Sequence, residues 1–180
     1  MRKVLYILGQ LDDLDAHWLA RTGHKRAVAD KEAIIRQNEE SASLFLLIEG
    51  KLAVEVAGIG RVALLQSGEI LGEMSFIDNA PPSATVLGSG PAIVLDIPKH
   101  ALQAKIAADP GFGMRFYRAM AFFLSDRLRT AQQTKASTGK VDLQSEAMQP
   151  DELETGVLDT VALAGDRFGR MLRTLAAAEG

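Results

Sequence analysis

Short runs of β-type residues alternate with turn residues from Gly23 to Pro98, and this spacing limits the possible folds more than any other feature of the chain. The runs recur about every 8–12 residues, which is typical of an all-β sandwich, roll or barrel. No helical segment of the length that a parallel crossover requires separates them, so the pattern indicates antiparallel pairing. The predicted strands cover residues 33–36, 44–48, 52–56, 61–65, 84–87 and 92–97.

Helical patterns lie on both sides of the predicted strands. Residues 11–22 predict a short packing helix that Asp12 can cap, with Asp15 in its first turn. The apolar residues assigned to the buried face of this helix are Leu11, Leu14 and Trp18. After the strands, residues 99–108 predict a short helix and residues 111–133 a long one. The predicted fold class is α+β, an antiparallel, jelly-roll-like β-roll flanked by an N-terminal helix and C-terminal helices.

The last part of the chain is predicted to be separate from this domain. We divide the chain into a domain at residues 1–133, a polar linker at 134–150 and a C-terminal helix within 151–180. Apolar residues of the last helix step by three and four along a seam typical of packing against a partner helix. The long helix 111–133 is apolar on several sides and also needs a partner surface, which is either the roll or a second copy.

The composition excludes several classes of function. The net charge is −3, which gives no overall attraction to nucleic acid or to an anionic membrane. The chain has no cysteine, so disulfides, thiolate catalysis and cysteine-type zinc sites are ruled out. Its apolar runs are shorter than the roughly 20 residues that cross a bilayer, and the run at residues 4–8 is too short for a signal peptide. We expect a cytoplasmic protein that binds neither nucleic acid nor membrane.

The stretch from Gly68 to Val86 carries the residues best suited to a binding site. Gly72 permits a backbone conformation or close approach that a side chain would block, and one helical turn can follow it. Glu73, next to that glycine, is an acceptor suited to a sugar hydroxyl, or else accepts backbone bonds in a buried turn. The hydroxyls of Ser83 and Thr85 lie beside the returning strand, either at the site or as ordinary strand residues.

This stretch resembles the phosphate-binding segment of the cyclic-nucleotide-binding domain family. The family pattern is Gly-Glu-apolar-(Ala/Ser)-apolar followed by Arg-(Ser/Thr)-Ala, and this chain has Gly72-Glu73-Met74-Ser75-Phe76 and Ser83-Ala84. The resemblance extends to residues 31–38, where Lys31 and Asn38 stand in two glycine places, and to residues 46–52. It covers about residues 11 to 133, in the family's order and spacing.

The resemblance implies a regulatory module that binds cyclic AMP or cyclic GMP and is not an enzyme. By position in the family pattern, the implied ligand-binding residues are Gly72, Glu73, Met74, Ser75, Ser83, Ala84 and Thr85. No metal is expected, because the three histidines lie in different elements without ligand-type spacing. No acid–base or nucleophile motif indicates catalysis either.

One position departs from the family pattern. The arginine that pairs with the phosphate in the family falls on Pro82, and no lysine or arginine occurs between Arg61 and Lys99. Losing such a charge-assisted contact costs about 1.5–3 kcal/mol, or roughly one to two decades of affinity. Arg36, Arg61 or a second chain could supply the missing cation. Alternatively, the two prolines merely form a rigid turn that holds the loop.

The sequence is consistent with two hypotheses about function. In the first, the chain is a stand-alone module in which ligand shifts the long helix against the roll and the signal passes through partner contact. In the second, it is a ligand-free, degenerate β-roll scaffold for oligomerisation or protein docking. Both predict a partner, either a homodimer formed through residues 111–133 and/or 151–178, or a protein that the sequence does not identify. The segment after the long helix is too short for a helix-turn-helix domain.

Overall fold

The chain forms two four-stranded antiparallel sheets and a layer of helices, in a computed structural model that describes residues 9–137, 165–167, 169–170 and 173. The helices are α1 (Asp13–Thr22), α2 (Glu73–Ile77), α3 (Lys99–Ala108) and α4 (Pro110–Ser137). The strands are β1 (His24–Val28), β2 (Ala33–Ile35), β3 (Ser43–Glu49), β4 (Lys51–Val56), β5 (Gly60–Gln66), β6 (Ile70–Leu71), β7 (Thr85–Gly88) and β8 (Ala92–Pro98).

The order of the strands shows a roll rather than a simple meander. One sheet has the order β1-β8-β3-β6 and the other β2-β7-β4-β5, and every pair is antiparallel. The predicted α+β class with an antiparallel β-roll between flanking helices is therefore confirmed. In the described helices, no stretch is long and apolar enough to span a bilayer.

The strand β3 lies between two cores because its side chains alternate from one face of the sheet to the other. Leu44 and Leu46 pack against the helices, in a cluster that includes Phe112 and Phe116 of α4. Phe45 and Leu47 face the second sheet, in a cluster formed by strands of both sheets, and Leu47 is fully buried. The continuous apolar run of β3 thus reflects burial on both faces.

The helix α1 is joined to α4 by a buried ion pair. Arg115 of α4 donates to both carboxylate oxygens of Asp15, with Nε–Oδ2 2.6 Å and Nη2–Oδ1 2.9 Å. Asp15 also accepts from the backbone N–H of Asp12, whose own carboxylate accepts from the N–H of Asp15, so the predicted cap is confirmed as a capping box. Beside this pair, Trp18 meets Phe112 edge-on at 5.4 Å between ring centroids.

Two of the sequence predictions about the elements need correction. Leu14 was assigned to the buried face of α1, but its side chain is 79% exposed, because α1 turns Asp15, Ala16, Leu19 and Ala20 toward the core instead. The strands β1 and β6 were not predicted. β1 has the mostly polar sequence His-Lys-Arg-Ala-Val and buries only Val28, whereas β6 has only two residues.

The structure describes only part of the predicted linker and last helix. α4 continues to Ser137, so the first residues of the predicted linker are helical. Residues 138–164, which hold the rest of the linker and the start of the predicted helix, lie outside the described residues. The described positions farther along, 165–167, 169–170 and 173, are helical. Among them, Arg167 Nε and Arg170 Nη2 donate to Asp13 Oδ1 of α1, at 2.7 and 2.9 Å.

Candidate functional site

The short helix α2 begins at a glycine with a left-handed backbone. Gly72 has φ 82° and ψ 6°, and a Cβ atom built on it would lie 3.0 Å from the carbonyl oxygen of Ser43. A side chain at this position would meet strain from both the backbone angle and the neighbouring strand. The glycine lets the chain leave β6 and place Glu73 as the first residue of α2, turned into the protein interior.

The carboxylate of Glu73 is buried and paired. The residue is 2% exposed, and Oε1 accepts a hydrogen bond from Nη1 of Arg127 on α4. The guanidinium of Arg127 also lies over the ring of Phe123, one helical turn earlier, at 5.6 Å from the ring centroid. Burial raises the pKa of Glu73 above its ordinary value, and this effect outweighs the opposing charge of Arg127.

A chain of hydrogen bonds joins α2 to the start of α3. The Ser75 hydroxyl donates to the carbonyl oxygen of Gly72 at 3.1 Å, and Lys99 Nζ donates to Ser75 Oγ at 2.7 Å. Burial lowers the pKa of Lys99, while the nearby charge of Asp78 acts in the opposite direction. The hydroxyl of Ser75 therefore holds the cassette (residues 68–86) to the helical layer.

A small cavity lies between α2, the second sheet and α4. Its volume is about 80 Å³, well below the roughly 300–1,000 Å³ of sites that hold small organic ligands. Six of the seven predicted site residues line it, namely Gly72, Glu73, Met74, Ser75, Ser83 and Ala84. The other lining residues are Ile35, Val54, Leu65, Leu71, Pro82, Val86 and Arg127. The walls are thus mostly apolar, with one carboxylate and one guanidinium.

The seventh predicted residue, Thr85, does not line the cavity. Its Oγ1 accepts a hydrogen bond at 3.1 Å from the backbone N–H of Gln37, in the turn after β2. Thr85 is the first residue of β7, where consecutive side chains point to opposite faces of the sheet. It therefore faces away from Ala84 and Val86, and its assignment to the ligand is not supported by this geometry.

The loop before β7 is tied to the turn after β2. Pro82 lines the cavity, and its carbonyl oxygen accepts a hydrogen bond from the backbone N–H of Asn38 at 2.9 Å. Asn38 and Lys31, which stand in two glycine places of the family pattern, have φ values of 62° and 61°. Both residues therefore adopt the left-handed backbone that a glycine there would provide.

The two arginines proposed from the sequence to replace the missing cation do not line the cavity. Arg36 Nε lies 4.0 Å from Glu39 Oε2, and Arg61 lies on the exposed edge strand β5. The cation at the cavity is Arg127, which sequence reasoning missed. The sequence did offer one indication. Arg127 lies one helical turn after Phe123, beside the apolar stripe of the long helix, so its side chain could be expected near the buried face. Among the described residues, no group of three His, Asp or Glu side chains is arranged to hold a metal ion.

A family model matches the part of the chain that contributes all of the lining residues except Arg127. Residues 25–109 match the family model of the cyclic nucleotide-binding domain. This match confirms, for these residues, the resemblance that the sequence indicated. No curated protein sequence matches the chain at a significant level.

Solved structures share the fold at low sequence identity. A cyclic nucleotide-binding domain from Methylobacillus flagellatus is 21% identical, with a TM-score of 0.67, and the match covers 79% of this chain and 85% of that one. The catabolite activator protein of Thermus thermophilus is 21% identical, with a TM-score of 0.61 and coverage of 97% and 88%. The regulatory domain of Toxoplasma gondii PKA, crystallised with cAMP, is 22% identical, with a TM-score of 0.55 and coverage of 71% and 47%.

Proposed function

We propose that this chain is a regulatory module that binds a cyclic nucleotide, cyclic AMP or cyclic GMP, in the cavity behind Gly72. The observation that carries the proposal is the buried carboxylate of Glu73, held at this cavity by an arginine of the long helix. A carboxylate in this place is a strong acceptor for a ribose hydroxyl. The family-model match of residues 25–109 and the cyclic AMP bound to the Toxoplasma protein support the same class of ligand.

We propose that binding enlarges the cavity. Its volume of about 80 Å³ is small for a nucleotide, and a second, more open conformation that the ligand stabilises would provide the space. The segment from Asp78 to Pro82, between α2 and β7, is exposed over most of its length and forms the outer edge of the cassette. Its displacement would open the cavity without disturbing either core.

The long helix is placed to report the change. Arg127 of α4 touches Glu73 directly, and Phe116 and Tyr117 of the same helix contact Phe76 of α2, at 5.7 and 6.3 Å between ring centroids. Any movement of α2 that admits a ligand therefore changes the packing of α4. We propose this coupling as the route of the signal.

The same helix offers a surface for a partner. Apolar side chains on its outer side are between 46% and 70% exposed, at Met114, Tyr117, Phe122 and Leu128. We propose that a second copy of the chain packs on this side of α4, with residues 151–178 as a further contact. Sedimentation of the full chain as a monomer at high concentration would remove this part of the proposal.

The experiment that tests ligand binding is a calorimetric titration of the full chain with cyclic AMP and with cyclic GMP. We expect heat of binding for at least one of the two, and its loss in Glu73→Ala, which removes the ribose acceptor. Glu40→Ala is the matched control, because Glu40 is an exposed carboxylate that does not line the cavity. Equal binding by Glu73→Ala and the unmodified chain would show that the ligand lies elsewhere.

A second candidate function is a ligand-free scaffold. Three observations favour it. Pro82 stands at the place of the family's arginine, and the cavity is small. The charges of Glu73 and Arg127 are already paired with each other. In that case the titration gives no heat, and the thermal unfolding midpoint does not shift with millimolar cyclic AMP or cyclic GMP.

A further inference from the structure

The cavity has no surplus positive charge for a cyclic phosphate. Among the described residues that line it, the charged ones are Glu73 and Arg127, and they are paired with each other. Pro82, at the place of the family's arginine, has neither a cation nor an N–H group. A phosphodiester that enters brings one more negative charge into mostly apolar surroundings, where an unpaired charge is costly.

Arg127 is the cation that this geometry makes available. It lines the same cavity as Pro82 and Ser83, and its side chain is 35% exposed, whereas the side chain of Glu73 is 3% exposed. A guanidinium has five N–H donors in a planar fork that suits a phosphate, and the bond to Glu73 uses only Nη1. Arg127 can therefore turn toward an entering phosphate without first leaving the cavity.

The protonation state of Glu73 changes if Arg127 turns away. Its carboxylate remains buried, and burial without a counter-ion favours the neutral form. The charged groups that act on it are Arg127 from α4 and Glu69 from the segment before β6, and Glu69 pushes its pKa upward as well. Lys99 Nζ donates to the hydroxyl oxygen of Ser75. Protonation is thus the available compensation, and the carbonyl oxygen of the neutral carboxyl can still accept a hydrogen bond from a ribose hydroxyl.

We propose that the long helix supplies the phosphate-binding cation of this module: Arg127 pairs with the cyclic phosphate where Pro82 cannot, and Glu73 takes up a proton as it gives up Arg127. This inference rests on the proposed function and specifies its chemistry. It implies that affinity is highest at low pH and falls as the pH rises, because a proton is bound together with the nucleotide. It also makes α4 itself a part of the binding site.

The test compares calorimetric titrations of the full chain with cyclic AMP, with cyclic GMP and with adenosine, which lacks the phosphate. In Arg127→Gln we expect cyclic nucleotide binding to weaken by roughly 10- to 100-fold, the range for one charge-assisted contact. Any binding of adenosine should be unchanged. Arg129→Gln, an exposed arginine of the same helix outside the cavity, is the matched control and should bind like the unmodified chain.

Two further variants separate charge from folding. Pro82→Arg combined with Arg127→Gln returns a cation to the family's place and should restore most of the lost affinity. If Arg127→Gln does not fold because Glu73 loses its partner, the pair Glu73→Gln with Arg127→Gln is compared with Glu73→Gln alone. Circular dichroism and thermal unfolding establish which variants are folded.

The pH profile provides a readout that a purely structural role would not affect. For the unmodified chain, the dissociation constant for cyclic AMP should rise with pH, by up to about tenfold per unit, and Glu73→Gln should flatten this dependence. If the unmodified chain binds a cyclic nucleotide but Arg127→Gln binds it equally well, the inference is wrong and the proposed function stands. If the unmodified chain binds neither nucleotide, the proposed function itself fails.

Discussion

Two buried carboxylates, Asp15 and Glu73, are paired with arginines of the same helix, yet their environments differ. Both residues are 2% exposed, and their partners, Arg115 and Arg127, lie about 18 Å apart along α4. Asp15 accepts two bonds from one guanidinium and a third from the backbone N–H of Asp12. Glu73 is bonded to one nitrogen of its arginine and faces a mostly apolar cavity.

The pKa values of the two carboxyls shift in opposite directions. Burial acts to raise the pKa of Asp15, but the hydrogen bonds from Arg115 and Asp12 outweigh it, and the pKa lies below its ordinary value. At Glu73 burial prevails, and the pKa lies above its ordinary value. Hydrogen bonding to the charged form thus decides the first case and desolvation the second. The first pair joins two helices, whereas the second is the pair in which, by our proposal, Arg127 changes its partner from Glu73 to the phosphate.

The two pairs therefore affect stability in different ranges of pH. Asp15 stabilises the fold above its unfolded pKa of about 3.8, and this contribution is lost as the pH falls through the lower folded value. The contribution of Glu73 is fully present below its unfolded pKa of about 4.5 and is lost as the pH rises through the higher folded value. Glu73 therefore contributes less to the stability of the fold near neutral pH than in acid.

The largest expected effect concerns the first pair. Arg115→Met leaves the Asp15 carboxylate buried without its counter-ion, and we expect the free energy of unfolding at pH 7 to fall by about 3 kcal/mol. This value is at the low end of the range for buried pairs, because the side chain of Arg115 is 31% exposed. Denaturant unfolding monitored by circular dichroism measures the loss.

The matched change in the second pair, Arg127→Met, should cost less. Glu73 already has a raised pKa and can become neutral by binding a proton, so we expect a loss of about 1–2 kcal/mol at pH 7 that shrinks at pH 5. Equal losses for the two variants at both pH values would contradict the distinction between the pairs.

An effect no larger than this is expected from the glycine that positions Glu73. Gly72→Ala places a Cβ 3.0 Å from the carbonyl oxygen of Ser43 on a left-handed backbone, and should destabilise the fold by about 1–2 kcal/mol. Gly58→Ala is the control, because Gly58 has φ 78° but nothing within 4 Å of the added Cβ. We expect the Gly72 variant to lose more stability than the control. The same loss in both would mean that Ser43 does not constrain the cassette.

Much of the fold could be read from local sequence patterns. The apolar runs of β3, β4 and β8, the cap at Asp12 and the helix at residues 99–108 follow from periodicity and turn chemistry that act within a few residues. The left-handed turns at Lys31 and Asn38 fall on two glycine places of the family pattern, although neither residue is glycine. β6 is too short to leave a periodic signal.

The candidate site was predicted only in part, because the ion pair between Glu73 and Arg127 is a contact between residues far apart in the sequence. Arg127 lies 54 residues after Glu73, and no local pattern indicates that the two side chains meet. Thr85 was assigned to the ligand from its place near the motif, but strand alternation turns it toward Gln37. The exposure of Leu14 likewise depends on how α1 rotates to bring Asp15 to Arg115.

The most direct test of this account is a carboxyl NMR titration of the full chain, labelled with carbon-13 in aspartate and glutamate side chains, with and without saturating cyclic AMP. We predict that the pKa of Glu73 lies above its ordinary value in the free protein and rises further with the nucleotide bound, while that of Asp15 stays low in both states. A Glu73 pKa that lies below its ordinary value and does not respond to cyclic AMP would contradict the account.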